Sequence, residues 1–280
     1  MINAGNNTQQ RAGVYVRQPH GYRAFIPKPL PPNPPIKVSG SLQTLLSQAD
    51  YALGRLDGAI LTLPNPDLFV FMYVRKEAVL SSQIEGTQSS LQNLLAVEAQ
   101  LFDPDTPGDV GEVINYVRAM NYGLERLATL PVSVRLILSH YFKQHRAEYY
   151  ERLQAVRDLG DWEGWLEFFL RGVAEVSEEA TRTAAAILRM REEFRAKITD
   201  HLGRAAANGQ RVMERLFEQP IVTVAAVRDW LGITQAGANQ IVTRLEGIGL
   251  LKEITGYARN RRFRFEPYLK LFEESEETKP

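Results

Sequence analysis

Residues 66–86 read PDLFVFMYVRKEAVLSSQIEG, and whether this stretch is helix or strand decides the architecture of the chain. Phe71, Val74, Ala78, Ser81 and Glu85 recur at spacings of three and four, the repeat of one helical face. Gly86 then supplies a natural stop, because glycine enters the left-handed conformation that ends many helices. The last turn carries one carboxylate, Glu85, on the side to which the apolar residues point. A negative charge there sits against the partial negative end of the helix dipole, mildly the wrong place for it, which raises the question of what Glu85 meets.

The same period extends outward on both sides. The Thr/Ser cluster after Gly86 can cap a following helix that carries Leu91, Leu94, Leu95 and Leu101. GEVINYVRAMNYGLERL repeats the pattern with Val113, Val117, Met120, Leu124 and Leu127, and DWEGWLEFFLRGV repeats it with Trp162, Leu166, Phe169, Leu170 and Val173. A long amphipathic helix follows to about Ile198. Residues 41–200 therefore read as an α-helical bundle, without strand alternation or internal repeats. Ahead of it, the first 35 or so residues read as irregular. They close on PKPLPPNPPI (Pro27 to Ile36), which must be extended because each proline fixes φ and turns its predecessor away from helix. This segment, residues 1–40, reads either as a strap packed on the body or as a ligand for a proline-binding domain of a partner.

HLGRAAANGQR (His201 to Arg211) is a small-residue break, with ANGQR read as a linker, and the pattern changes beyond it. RVMERLFEQP ends a helix at Pro220. TVAAVRDWLG is a short helix opened by Thr223 and closed by Gly232, and TQAGANQIVTRLEGIG is a second with Thr234 at its N-cap. LLKEI and FRF read as two short strands flanking TGYARNRR. Over residues 208–272 this is the layout of a winged helix-turn-helix. In that reading the second helix offers Thr234, Gln235, Gln240, Thr243 and Arg244 to a major groove, since Gln and Arg read base edges and Thr suits phosphate. The strand-connecting tip adds Arg259, Asn260, Arg261 and Arg262, suited to the backbone or minor groove. From Arg211 to Lys270 there are ten Lys/Arg against six Asp/Glu, a modest excess. DNA binding and protein docking both remain open for such a module.

Composition bounds the rest. Of 280 residues 44% are hydrophobic and 24% charged, a globular balance. Lys+Arg and Asp+Glu are both 33, so no global field recruits nucleic acid or membrane, and any such attraction is local. There is no cysteine, which excludes disulfides, zinc fingers and thiol nucleophiles. No apolar run reaches the length of a membrane span and no signal-peptide layout opens the chain, so a soluble, cytoplasmic protein is expected. The four histidines, His20, His140, His145 and His201, lack the spacing of a zinc helix, and His145 reads as a helix-face residue. There is no P-loop, no GxGxxG and no GxSxG. By chemistry alone nothing assembles an active site, and no metal ligands are expected.

One resemblance sharpens this. The pattern Ser/Thr-x-x-x-Glu-Gly/Asn, met here by Ser81, Glu85 and Gly86, resembles the inhibitory-helix motif of Fic proteins, which transfer AMP from ATP to a hydroxyl of a target protein. PLPPNPPI, YALGRLDGAILTLPNPDLF, YVRKEAVLSSQIEGTQSSL and EVINYVRAM resemble, in order, the N-terminal part of bacterial Fic proteins. YFKQHRAEYYERLQAVRDLGDWEGWLEFFL resembles the segment after their catalytic core, and the winged helix resembles their C-terminal extension. The family's catalytic loop, His-Pro-Phe-x-x-Gly-Asn-Gly-Arg, is absent. LPVSVRLI (Leu130 to Ile137) runs straight into LSHYFKQHR, as though the core were excised between about residues 137 and 138. The expected fold is thus mainly α: an incomplete Fic-type helical bundle followed by a winged helix-turn-helix.

The resemblance implies what the loss removes. The loop histidine is the general base for the attacking hydroxyl. The Gly-Asn-Gly turn offers backbone N–H groups to phosphates, arginines hold the outer phosphates, and an acid helps hold Mg²⁺. Intact relatives use ATP and Mg, but no cofactor is expected in this chain, and no adenylyl transfer is expected from it alone. In relatives the glutamate matching Glu85 pairs with the second loop arginine. Here Glu85 either turns to solvent or another arginine of its own chain, or engages the loop of an intact Fic protein as an inhibitor in trans. Tyr141 lies in a segment beside the nucleotide pocket of relatives and reads here as core. Loss of central helices predicts exposed apolar faces at Val113/Val117 and Phe169/Leu170, and hence dimerisation or another homo-oligomer, repacking, or poor solubility. The partners open to the chain are DNA, a target protein, an intact Fic protein and a second copy of itself, with no membrane.

Overall fold

A computed structural model describes residues 11–63, 65–101, 106–126, 139–257 and 259–273. It is mainly helical. Two compact units divide the chain: one takes residues up to Asp57 together with 139–179, the other takes Gly58 onward together with residues from Ala180. The expected junction between residues 137 and 138 lies outside the described residues.

The first unit opens on a β-hairpin, β1 (Gly13–Arg17) against β2 (Arg23–Pro27), antiparallel with Tyr15 opposite Phe25. This corrects the irregular reading of the first 35 residues. The hairpin turn is closed by Gly21 at φ +88 and by Gln18 N–H donating to the Tyr22 carbonyl at 2.8 Å. Beyond it the proline-rich segment is irregular, as expected. Arg11, buried, ties it down: Nε donates to the Pro34 carbonyl at 3.0 Å, while its two terminal nitrogens meet Glu163 at 2.6 and 3.0 Å. Helix α1 (Ser41–Leu61) follows.

Three later elements complete this unit. They are α5 (Ser139–Gln144), α6 (Arg146–Leu159) and the first part of α7 (Trp162–Leu202). Gly160, left-handed at φ 69, ends α6. The two periodic stretches read after Asp161 are one 41-residue helix, because neither proline nor a capping glycine interrupts them. Their core is aromatic. Tyr141 and Phe168 are fully buried with Phe142, Tyr149, Trp165 and Phe169 packed about them. Gly172 makes this possible, since a Cβ there would stand 2.5 Å from the Tyr141 ring.

The second unit holds α2 (Pro66–Ile84), α3 (Leu91–Glu98) and α4 (Val110–Arg126). Asn65 caps α2, accepting from Asp67 N–H, and proline occupies its first turn. Ser90 and Asn93 form a reciprocal capping box on α3, as the Thr/Ser cluster foretold. Val74, Ala78, Val79, Leu94, Val113 and Val117 form one buried cluster. Val113 and Val117 are therefore not the exposed face expected of a bundle that had lost its centre: α2 and α3 cover them. Phe169 and Leu170, in the first unit, are half-buried. Buried Arg75 locks α2 to α3 through a two-pronged pair with Glu98, at 2.6 and 2.8 Å.

The rest of this unit is C-terminal. A short 3-10 turn leads from α7 into α8 (Ala206–Glu218), so Ala207–Arg211 is helix and not the linker expected from its small residues. Gly209 acts by close approach, because a Cβ there would lie 2.5 Å from Leu202. Then come β3 (Ile221–Thr223), α9 (Val224–Leu231), α10 (Gln235–Gly247), β4 (Lys252–Glu253), β5 (Arg262–Arg264) and α11 (Glu266–Lys270). The three strands form an antiparallel sheet in the order β3-β5-β4. Thr223 and Thr234 cap α9 and α10, each accepting a backbone N–H at 3.2 Å, and Gly232 at φ 64 ends α9, as read from the sequence. Among the described residues no helix is long and apolar enough to cross a membrane.

Candidate functional site

The sequence-predicted residues fall at two places in the second unit. The first is the end of α2. Glu85 is its C-cap residue, exposed, with φ −87 and ψ −2, and Gly86 follows at φ +105. The stripe that began at Phe71 and Val74 thus ends in solvent: α2 is covered on all sides from Met72 to Leu80, and its last turn leaves the packed region. The chain turns there through hydrogen bonds from Glu85 N–H and Thr87 N–H to the Ser82 carbonyl, at 3.0 and 3.2 Å. No hydrogen bond or ion pair to the Glu85 carboxylate occurs among the described residues. Ser81 is half-buried one turn back.

The loop after Glu85 is fixed from the far side. Asp109, just before α4, accepts from Gln88 N–H at 2.6 Å and from the buried Ser89 hydroxyl. Those bonds, the Ser89 hydroxyl first, hold the Asp109 carboxyl below its ordinary range. Gln83 Nε2 donates to the Ser89 carbonyl at 2.9 Å. The exposed carboxylate of Glu85 therefore stands on a turn pinned at both ends.

The second place is a half-open cleft of about 740 Å³ built mainly from the C-terminal elements. Gln235 and Asn239, one turn apart on α10, form one wall, and Thr223 to Ala225 at the start of α9 form its base. The tip between β4 and β5 brings Tyr257, Arg259, Arg261 and Arg262. Gln100 and Leu101, just after α3, line it as well. Glu253 organises the tip. Its carboxylate accepts from Thr255 N–H at 2.9 Å, from the Thr255 hydroxyl, and from Gly256 N–H at 3.0 Å. The Thr255 hydroxyl first among these, they hold the Glu253 carboxyl below its usual range. The Thr255 hydroxyl accepts in turn from Arg262 N–H at 3.3 Å. Arg261 lies over the Phe263 ring, 4.8 Å from its centroid.

Of the residues read as nucleic-acid contacts, the structure gathers Gln235, Arg259, Asn260, Arg261 and Arg262 on this cleft. Thr234 caps α10 directly before Gln235, while Gln240 and Thr243 are exposed further along the helix. Arg244 is otherwise engaged, with Nη1 donating at 3.0 Å to the Leu202 carbonyl at the end of α7. Asn239 and Tyr257 were missed, though their positions could have flagged them: Asn239 follows Gln235 by four on one helix face, and Tyr257 sits inside the basic tip. Nothing local in the sequence points to Gln100 or Leu101.

No catalytic constellation forms elsewhere among the described residues. His145 packs against Tyr141 with the rings tilted by 41° and their centroids 4.4 Å apart, and His201 Nδ1 lies 2.9 Å from the Lys197 carbonyl. Tyr141 is 1% exposed, inside the aromatic core, and burial raises its hydroxyl pKa. Among the described residues Tyr141 is enclosed by aromatic side chains, and no histidine-glycine loop exists in the sequence to hold ATP and Mg²⁺ there. The residues present do not fit that pair of ligands at this place.

The architecture is thus that of a mainly helical protein whose N-terminal helices share a unit with a C-terminal helix-and-sheet module. Residues 43–125 match the family model of the Fic/DOC family N-terminal region. This stretch takes in nearly all of α1 to α4, including Ser81, Glu85 and Gly86, and it supports a relationship to the Fic family.

Proposed function

We propose that this chain is a cytoplasmic Fic-family protein, related to protein adenylyltransferases, that does not transfer AMP by itself. The observation that carries the reading is the pairing of a Fic/DOC N-terminal match at residues 43–125 with a sequence lacking any His-Pro-Phe-x-x-Gly-Asn-Gly-Arg loop. Transfer needs a general base at the target hydroxyl and donors around the phosphates, and these cannot be replaced by the aromatic packing around Tyr141. The test is incubation with labelled ATP and a panel of target proteins beside an intact relative. Background labelling is expected, and histidine-dependent labelling above it would overturn the reading.

A regulatory role is the second reading. The order α8, β3, α9, α10, β4, β5 is compatible with the winged-helix reading and supports placing α10 in a DNA groove with Arg259 and Arg261 on the backbone. Mobility shifts on the whole chain should weaken steeply with salt, and replacing both arginines by alanine should flatten the log–log salt slope by about two. An unchanged slope counts against DNA binding through the tip. Glu85, exposed on a pinned turn, also supports pairing with a catalytic-loop arginine of an intact Fic protein. Mixing the two chains should lower that enzyme's activity, and Glu85→Gly should abolish the effect. Inhibition that survives Glu85→Gly would sink this part of the proposal.

A further inference from the structure

The cleft beside α10 has a chemistry that DNA contact does not exhaust. Its lining holds three arginines and, among the described residues, no carboxylate. Arg259 is exposed and forms no ion pair with any described residue, so its charge is uncompensated. Glu253, the acid that faces Arg261, is engaged by Thr255 and Gly256 at the foot of the tip and does not line the cleft. A space of this composition favours an anionic occupant, with bidentate guanidinium contacts the natural means of holding phosphate oxygens.

Size and the remaining lining narrow the class. About 740 Å³ is far more than a single phosphate needs and lies within the roughly 300–1,000 Å³ of ligand clefts. Tyr257, 60% exposed, presents a free aromatic ring beside the arginines. Gln235 and Asn239 offer paired amide donors and acceptors from α10, and Gln100 adds a third amide. Phosphate donors, an aromatic ring to stack on and amides to read a base edge together match one ligand type. We propose that this cleft binds a free nucleotide, its phosphates on Arg259, Arg261 and Arg262 and its base against Tyr257 and the amides.

The Gln100–Leu101 wall gives the site a consequence. It comes from the Fic/DOC-matched part of the chain, whereas every other wall is C-terminal. A nucleotide seated there contacts both and draws on the arginines that a DNA backbone would use. Nucleotide and DNA therefore compete for Arg259, Arg261 and Arg262. The site itself does not depend on the DNA reading.

The test is calorimetric titration of the whole chain with ATP, AMP, pyrophosphate and adenosine, and separately with a short DNA duplex. ATP is expected to bind at least tenfold more tightly than either pyrophosphate or adenosine. The double variant Arg259→Ala/Arg261→Ala should weaken ATP at least tenfold. So should Asn239→Glu, which places a like charge at an exposed helix position without touching the core. Arg204→Ala, exposed on the turn between α7 and α8, should leave ATP binding unchanged. ATP bound no better than pyrophosphate overturns the nucleotide assignment, and ATP bound equally by the double variant and by Asn239→Glu overturns the site. Duplex binding without ATP binding refutes this inference and leaves the DNA reading standing. ATP binding without duplex binding does the reverse.

Discussion

Arg11 and Glu163 show what one residue pair does for the N-terminal segment. Arg11 is 5% exposed, so its charge tolerates that position only because Glu163 and two backbone carbonyls, of Pro34 and Gly160, take its hydrogens. Glu163 also accepts from Lys37 N–H at 3.1 Å, and the pair with Arg11, foremost, brings its carboxyl down to about 2 from an ordinary value of 4.5. The folded form is thus the weaker proton binder. Above pH 4.5 both states are ionised and the full contribution is present. As pH falls from 4.5 toward 2 the unfolded chain takes up the proton first, and the contribution is lost. With the carboxylate 29% exposed and discounted for solvent screening, the pair contributes about 1–2 kcal/mol. Glu163→Gln should lower stability by that amount in urea titrations at pH 7, and the difference from the parent should shrink steadily below pH 4.5. A difference independent of pH would show that the charge is not what matters.

Elements depend on which glycines break and which pack. Gly172 lies inside α7 under the Tyr141 ring, so Gly172→Ala should cost about 1–3 kcal/mol by overpacking despite its better helix propensity. Gly123 lies inside α4 with nothing within 4 Å of an added Cβ, and Gly123→Ala should stabilise by about 0.4–1 kcal/mol. Thermal melts of the two variants should therefore move in opposite directions, and shifts of the same sign would refute the packing argument. The same distinction explains what the sequence made legible. Helices α2, α4 and α7 were readable because their apolar residues recur with helical period over many turns, and α9 and α10 because Thr223, Thr234 and Gly232 carry their own caps. Gly209 and its small neighbours looked like a break because glycine disfavours helix, yet contact with Leu202 outweighs that cost. The β1–β2 hairpin escaped notice because Tyr15, Val16 and Ile26 leave apolar area exposed on it, which erases the alternation of a half-buried strand. Strand β3 is three residues long, too short to show a period. The arginines and glutamines of the cleft were visible as residue types, but its Gln100–Leu101 wall is brought by tertiary packing alone.

For the chain as a whole, zero net charge means that attraction to polyanions has to come from local imbalance, which the arginines of the β4–β5 tip supply. That tip can act together with the Fic/DOC-matched helices only if the second unit behaves as one cooperative body. A run of rings links its N-terminal and C-terminal elements. Phe69 and Tyr73 of α2 have centroids 4.6 Å apart, Tyr73 meets Phe272 at 5.6 Å, and Phe272 meets Tyr268 of α11 at 5.3 Å. Tyr268 continues to Phe217 of α8 at 5.0 Å. Gln92 of α3 adds a hydrogen bond to Glu273 at 2.8 Å. Phe272 is 2% exposed and sits in the middle of this run, so Phe272→Ala should cost about 3–5 kcal/mol. Because the rings join α2 to α8 and α11, the loss should not stay local. Amide hydrogen exchange is expected to speed up in α2 and in α8 together, at a common opening free energy. Faster exchange confined to α11, with α2 unchanged, would mean that the N-terminal helices and the C-terminal module open independently. The coupling between the two walls of the cleft would then be lost.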